Sequence, residues 1–400
     1  MQDWKMTTIA ECSTILGDGL HGTPKYDENG EYAFINGNNL HDGKIVIKPD
    51  TKCVGFSEYE KHKKELTDRT VLVSINGTLG NVAVFNGEKV ILGKSACYFN
   101  VSTDCDVQFM RYVVSSPRFQ QYINSVATGT TIKNVSLKQM REYSFPIPEL
   151  KEQQRIAKVL HLLDQKIENN QKINDNLQQQ LRAIFIERFT NNIALESIQQ
   201  VPLSELCSVV TKGTTPTTLG KPFVDRGINF LKAESILDNH SLDKGKFAHI
   251  DEETHDMLKR SVIYAGDIVF TIAGTLGRFA LIDSDILPAN TNQAVAIIRA
   301  DKGKISPEYL YACFIGNWHN DYYSKRVQQA VQANLSLTTI KSLPIPVLTQ
   351  DKMVSYMALI SPIIMMLKQN EIENERLATI RDSLLPRLLS GEIDVPDIQL

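Results

Sequence analysis

The sequence predicts an α+β protein: two pseudo-symmetric, mixed α/β globules joined by two long helices that pair antiparallel as a coiled coil. Three observations predict it. Two stretches keep apolar residues at helical spacing for longer than a globule needs, and the segments between them are rich in short β-forming runs. Landmarks of the first half also return in the second, about two hundred positions later.

The first long stretch runs from Leu150 to Phe189. Ile156, Leu160, Leu163 and Ile167 are spaced four, three and four apart, and Ile173, Leu177, Leu181 and Ile184 resume the stripe after Asn169 and Asn170. The spacing gives one apolar seam, while Gln153, Gln154, Lys158, Gln165, Lys166, Glu168, Gln178 and Gln179 fall on faces that tolerate water. Roughly 36 helical residues at ~1.5 Å each make a rod of about 54 Å. Such a rod needs one apolar partner, and a second helix of the same kind supplies it.

That partner is expected between Asp351 and Leu389. Met353, Met357, Ile360, Ile364 and Leu367 form its stripe, and Leu377, Ile380 and Leu384 continue it. The seam of the paired rods is therefore placed on Ile156, Leu160, Leu163, Ile167, Leu177 and Leu181, facing Met357, Ile360, Ile364, Leu367, Leu377 and Leu384. Pro362 and Pro386 predict a kink or short break in this second rod.

The repeat has four landmarks. Phe34-Ile35 returns as Phe230-Leu231, Gly77-Thr78-Leu79-Gly80 as Gly274-Thr275-Leu276-Gly277, Val135-Ser136-Leu137 as Leu335-Ser336-Leu337, and Pro146-Ile147-Pro148 as Pro344-Ile345-Pro346. Strands are expected at Thr70–Ser74, Val82–Phe85, Val90–Leu92, Asp267–Ile272 and Ala294–Arg299. Helices are expected near Val107–Ser125 and Pro307–Gln332. The Pro-x-Pro pairs favour extended backbone and mark boundaries. The division is then residues 1–148 for the first globule, 149–190 for the first rod, 191–348 for the second globule and 349–400 for the second rod.

Bulk properties narrow the class. A chain of 400 residues exceeds one core, and no apolar run approaches the roughly 20 residues of a membrane span. No secretory signal opens it, and the six cysteines form no Cys-x-x-Cys pair, so a reducing, cytoplasmic setting without structural zinc is expected. The net charge of −3 gives no overall attraction to nucleic acid, so any such contact has to come from local patches.

Motifs that resemble chemistry fail on context. Gly17-Asp18-Gly19-Leu20-His21-Gly22 has the dinucleotide spacing, but Thr23-Pro24 and a polar turn follow where a helix must begin. Gly93-Lys94-Ser95 echoes a phosphate loop without its earlier glycine, and a strand-like run follows. The eight histidines have no metal spacing; His249 and His255 read as surface residues on an acidic segment. No string suits an adenine methyltransferase, and no carboxylate cluster suits a nuclease. Catalytic residues, metal and bound cofactor are all expected to be none.

The run Phe145-Pro146-Ile147-Pro148-Glu149-Leu150-Lys151-Glu152-Gln153-Gln154-Arg155-Ile156 closely resembles the central conserved region of specificity (S) subunits of type I restriction-modification enzymes. Ser383-Leu384-Leu385-Pro386-Arg387-Leu388-Leu389-Ser390-Gly391-Glu392-Ile393 looks like the C-terminal conserved region of that family, and the two Gly-Thr-Leu-Gly elements resemble part of its target-recognition domains. The likeness covers essentially the whole chain. One departure is that the second rod opens with Thr349-Gln350-Asp351-Lys352-Met353 and lacks the Glu-Gln-x-x-Ile signature.

The resemblance implies a non-catalytic, sequence-specific DNA-binding subunit. Each globule would read one half of a split, asymmetric target in double-stranded DNA, and the rods would set the spacing. Two modification (methyltransferase) subunits carrying S-adenosylmethionine would dock on the rods, and restriction subunits, ATP-driven translocase nucleases, would complete the complex. This chain would hold neither cofactor.

Base reading calls for Asn, Gln, Arg and Lys, with Thr and Ser available for phosphate. In the first globule the candidates are Thr23, Lys25, Asn36, Asn38 and Asn39; Asn76 and Thr78; and Thr128, Thr130, Thr131, Lys133 and Asn134. In the second they are Lys212, Thr214, Thr215 and Lys232; Thr275 and Arg278; and Gln328, Gln329, Gln332 and Asn334. Turn chemistry alone would place many of these types in loops. The reading from a different class is a protein-binding adaptor whose globules grip polypeptides while the rods space them; near-neutral globules permit it, and the loop amides favour DNA.

Overall fold

The computed structural model describes residues 4–129, 131–191, 198–318 and 334–395. The chain forms two compact units, Met1–Glu168 with Asn374–Leu400, and Asn169–Glu373. Each unit takes one globule together with a share of both long helices.

In the first unit an antiparallel sheet is ordered Ser13–Asp18, Ala96–Val101, Thr70–Ser74, Val82–Val84. Thr70–Ser74 is buried at every position because the sheet is covered on both faces. Val71, Val73 and Phe99 join a core that includes the helices Val107–Ser115 and Pro117–Val126, and Leu72, Ala83 and Tyr98 join the opposite one. Alternate residues of a strand point to opposite faces, so the near-continuous apolar run is what a double-sided strand requires. Tyr32–Ile35 pairs in parallel with Val90–Leu92 beneath that second core. The helical stretch expected near Val107–Ser125 is two helices, since Ser116 caps the second and Pro117 starts it.

The second unit repeats the plan. Its sheet is ordered Cys207–Lys212, Val295–Ala300, Ile268–Thr271, Phe279–Leu281. Ile268 and Phe270 enter one core and Val269 the other. Ile228–Leu231 pairs in parallel with Ala289–Thr291. Pro307–Ile315 is helical and ends at Gly316, with a turn through Trp318 where the expected helix would have continued; the remainder of that stretch, to Gln332, lies outside the described residues.

Both Pro-x-Pro elements are strands. Ser144–Ile147 pairs with Lys5–Thr8, and Pro344–Val347 pairs with Gln199–Pro202, as two-stranded ribbons in which proline lacks only an edge hydrogen bond. Immediately after them begin the central helix Leu150–Ile186 and the C-terminal helix Gln350–Leu389.

The C-terminal helix is continuous through Pro362, where a kink or break was expected. Pro362 is exposed, so water can take the Ala358 carbonyl that its missing N–H leaves unbonded. Pro386 lies inside the last turn and its carbonyl accepts from the Ser390 N–H at 3.1 Å.

Of the expected seam, Ile156, Leu160, Leu163, Leu177, Leu181, Ile360, Ile364 and Leu367 are buried, and Ile167, Met357, Leu377 and Leu384 are half-buried. Ile173 is 43% exposed, and Asn170, read as a polar interruption, is 1% exposed. The register shifts there because Asn170 donates to Glu373 Oε2 at 2.8 Å, and Asn370 donates to Asn174 Oδ1 at 2.7 Å. Those pairs, rising along one helix while falling along the other, make the segments antiparallel in the second unit. Phe185, Phe189 and Tyr356 fill the seam beyond.

In the first unit the helices meet at Asp164. Its carboxylate accepts from Arg381 at 2.9 Å, from Arg111 at 2.9 Å and from the Tyr112 hydroxyl at 2.6 Å. Burial pushes the Asp164 carboxyl up, but the Arg111 guanidinium, the Tyr112 hydroxyl and Arg381 together hold it below the usual carboxylate range. Gln153, placed on a water-facing side by its polarity, is buried instead. It accepts from the Asp106 N–H at 2.8 Å and donates to the Pro148 carbonyl at 2.9 Å, tying the helix start to the globule.

Candidate nucleic-acid interface

Three loops separated by up to ninety-eight positions meet at one end of the first sheet. Asn36 to Asn39 form a 3-10 turn after the strand Tyr32–Ile35. Asn76 and Thr78 sit on the turn between Thr70–Ser74 and Val82–Val84, where Gly77 and Gly80 have φ of +76° and +81°. The turn needs left-handed backbone, which explains its glycines. The third loop joins through Asn76 Nδ2, which donates to Asn134 Oδ1 at 3.0 Å, and through the Gly77 N–H, which donates to the Lys133 carbonyl at 3.0 Å.

Asn36, Asn38, Asn76 and Thr78 therefore line one cleft, together with Lys94 and Ser95. Lys94 is not among the residues the sequence predicts, because Gly93-Lys94-Ser95 resembles a phosphate loop that fails on context. It is a turn leading into the strand Ala96–Val101, as expected, but the turn delivers an exposed lysine to the cleft. Lys133 and Asn134 are exposed beside it, as are Thr128 and Thr131; Thr130 lies outside the described residues. Thr23 and Lys25 are exposed on a separate loop, where the Lys25 N–H donates to Glu58.

Asn39 leaves the candidate set. It is 5% exposed, and its amide accepts from the Asn36 N–H at 3.0 Å and donates to the Val46 carbonyl at 3.0 Å. A buried amide with its bonds satisfied inside the fold holds the turn and has nothing to offer a ligand.

The second unit builds the same end. Lys232 occupies the place of Asn36 and Ser235 that of Asn39: the Lys232 N–H donates to Ser235 Oγ at 3.4 Å, and Ala233–Ser235 is the 3-10 turn. Thr275 is exposed between Gly274 and Gly277, at φ +78° and +84°. The Leu335 N–H donates to the Ile272 carbonyl at 2.9 Å, as the Val135 N–H does to Ile75 at 2.8 Å, so Asn334 answers Asn134. Gln328, Gln329 and Gln332 lie outside the described residues.

Arg278 also leaves the set. Its guanidinium grips Asp238 through two bonds, of 2.6 and 2.7 Å, and reaches the Ile236 carbonyl at 3.3 Å. Lys212 is exposed at the end of its strand. Thr214 accepts from Arg260 at 3.0 Å, and Thr215 donates to Gln293. His255, expected at the surface, is half-buried with Nδ1 2.5 Å from Asn290 Oδ1, and His249 is half-buried in the strand Ala248–Ile250.

Among the described residues the two faces thus present amide, hydroxyl and ammonium groups on loops, with one carboxylate, Glu234, in the second. Among the described residues no group of three or more His, Cys, Asp or Glu is placed to hold a metal, and no helix is long and apolar enough to cross a membrane. Two copies of such a surface on one chain define a repeated recognition module.

Residues 1–179 and 195–374 each match the type I restriction modification DNA specificity domain, and the chain belongs to that family. It is 22% identical to the type I restriction enzyme MjaIX specificity subunit of Methanocaldococcus jannaschii over 424 aligned positions, covering 99% of this chain and 95% of that protein. It is 24% identical to the EcoBI specificity subunit of Escherichia coli over 275 positions, 62% of this chain and 56% of that one. The crystal structure of the type I restriction-modification S subunit from M. genitalium has the same fold, with a TM-score of 0.55 at 18% identity and 96% of each chain covered.

Proposed function

We propose that this chain reads DNA sequence for a type I restriction-modification complex and carries out no chemistry itself. Each unit reads one half of a split target through its three-loop face, and the helices fix the gap between the halves. The observation that carries the reading is the duplicated face itself: Asn38, Asn76 and Lys94 in one unit, and Lys232, Thr275 and Asn334 at the equivalent end of the other. Such groups bond base edges and phosphates.

Two methyltransferase subunits dock on the helices, bringing S-adenosylmethionine, and restriction subunits bring ATP hydrolysis; the complex works in the cytoplasm. The apolar residues Val354, Leu359, Met365, Met366 and Ile372, exposed on the C-terminal helix, suit such docking. Selection from random duplex DNA by the chain assembled with its methyltransferase subunits tests the reading. Enrichment of a bipartite motif is expected, and the isolated chain should transfer no methyl group. Recovery of no bipartite motif rejects the proposal.

A further inference from the structure

The two faces share a backbone but differ at matching positions. Tyr32–Ile35 and Ile228–Leu231 each pair in parallel with a strand, of which Leu92 and Thr291 are the last partners. Each then enters the same capped 3-10 turn. Asn36 therefore corresponds to Lys232 and Asn38 to Glu234. The Ile75 N–H donates to the Ser95 carbonyl at 2.9 Å and the Ile272 N–H to the Ala294 carbonyl at 2.8 Å, so Lys94 corresponds to Gln293.

The turn thus presents two amides in one unit and an ammonium with a carboxylate in the other. Lys232 Nζ lies 4.0 Å from Glu234 Oε1 and 4.9 Å from the centroid of Phe223, with the two side chains 31% and 61% exposed. In the major groove guanine offers O6 and N7 as acceptors, while cytosine, on the other side of the same pair, offers its N4 amino group as a donor. A lysine beside a glutamate matches that adjacent acceptor and donor. Adenine offers N7 and N6 as an acceptor and a donor, which one carboxamide meets. Asn38 is exposed in the cleft of the first unit, while Asn36 Oδ1 accepts from Ser95 Oγ at 2.9 Å and shapes the turn.

Building on the DNA-reading function, we propose that this turn specifies one base pair in each half-target: Lys232 and Glu234 select a G·C pair in the half read by the second unit, and Asn38 selects an A·T pair in the half read by the first. Glu234 also works by exclusion. Its carboxylate faces an acceptor, thymine O4, when cytosine is replaced by thymine, and the mismatch leaves like partial charges opposed.

The test is selection from random-sequence duplexes by the full chain assembled with methyltransferase subunits, comparing the wild type with Glu234→Gln and with the double variant Lys232→Asn, Glu234→Asn. The wild type should enrich a bipartite motif with a G·C pair in one half. Glu234→Gln should relax preference at that pair about ten-fold, and the double variant should convert it to A·T while every position of the other half is retained. A wild-type bipartite motif that neither variant alters, or that changes in both halves, overturns this inference and leaves DNA reading standing. Absence of any bipartite motif from the wild type overturns DNA reading and this inference with it.

Discussion

Arg381 of the C-terminal helix donates to Asp164 of the central helix at 2.9 Å, and Arg111 and Tyr112 of the globule close on the same carboxylate. One acid thus joins three separate elements of the first unit. Replacing it leaves Arg111, only 12% exposed, without its carboxylate, and takes one of two carboxylates from Arg381, which keeps Asp382 at 2.9 Å; leaving a buried charge without its partner is costly.

Asp164→Ala should therefore destabilise the first unit by about 2–4 kcal/mol in denaturant titration, somewhat below the fully buried range because Arg381 meets water and retains Asp382. The carboxyl is held below its ordinary value, so its contribution is complete above the unfolded value and lost as pH falls through the folded one. Wild type should lose more stability than Asp164→Asn on acidification below about pH 4. Equal losses would show that Asp164 does not carry the effect.

His240 gives a second, separate acid response. It stacks on Phe279 with centroids 3.9 Å apart, and burial lowers its value from 6.5 to about 4. The unfolded chain binds a proton that the folded one refuses between those values, so stability falls as pH drops from about 6.5 towards 4. The loss should reach about 3 kcal/mol for a shift of this size. His240→Gln should flatten that part of the pH–stability curve, whatever it does to stability at pH 7.

The two faces should act independently. Lys133→Ala with Asn134→Ala is expected to weaken selection at one half of the enriched motif, and Asn334→Ala at the other. About 1–3 kcal/mol per base-reading contact sets the scale. Asn38→Ala should change the motif with little loss of stability, whereas Asn39→Ala should cost about 1–3 kcal/mol of stability. Either face variant affecting both halves equally would refute independent reading.

Inserting seven residues into each long helix, in phase with the seam, lengthens a helix by ~10 Å, about three base pairs. The gap in the motif should widen accordingly while the bases on either side stay the same. An unchanged gap would mean that something other than the helices sets it.

Much of this fold was legible in the sequence because burial leaves a period. Alternation between two cores produced the apolar runs at Thr70–Ser74 and Ile268–Thr271, and the helical stripes survived even where proline argued against them. What period could not show was the fate of individual polar groups. Asn38 and Asn39 are neighbours of one type, yet one lines a cleft and the other is sealed beneath it. Gln153 and Asn170 looked like solvated positions and proved to be buried, because a partner nearby in space but remote in sequence satisfies each amide. Lys94 was hidden for a different reason: its turn matched the wrong motif, and rejecting the motif also discarded the lysine.

The ribbons Lys5–Thr8 with Ser144–Ile147 and Gln199–Pro202 with Pro344–Val347 bring the backbone into and out of each globule on adjacent strands. A globule entered and left on neighbouring strands can be exchanged at those strands, provided the replacement ends in the same short pair and still packs on the long helices as Phe109, Arg111 and Tyr112 do in the first unit. Recombination at those two seams would give a cell a new address code in a single genetic step.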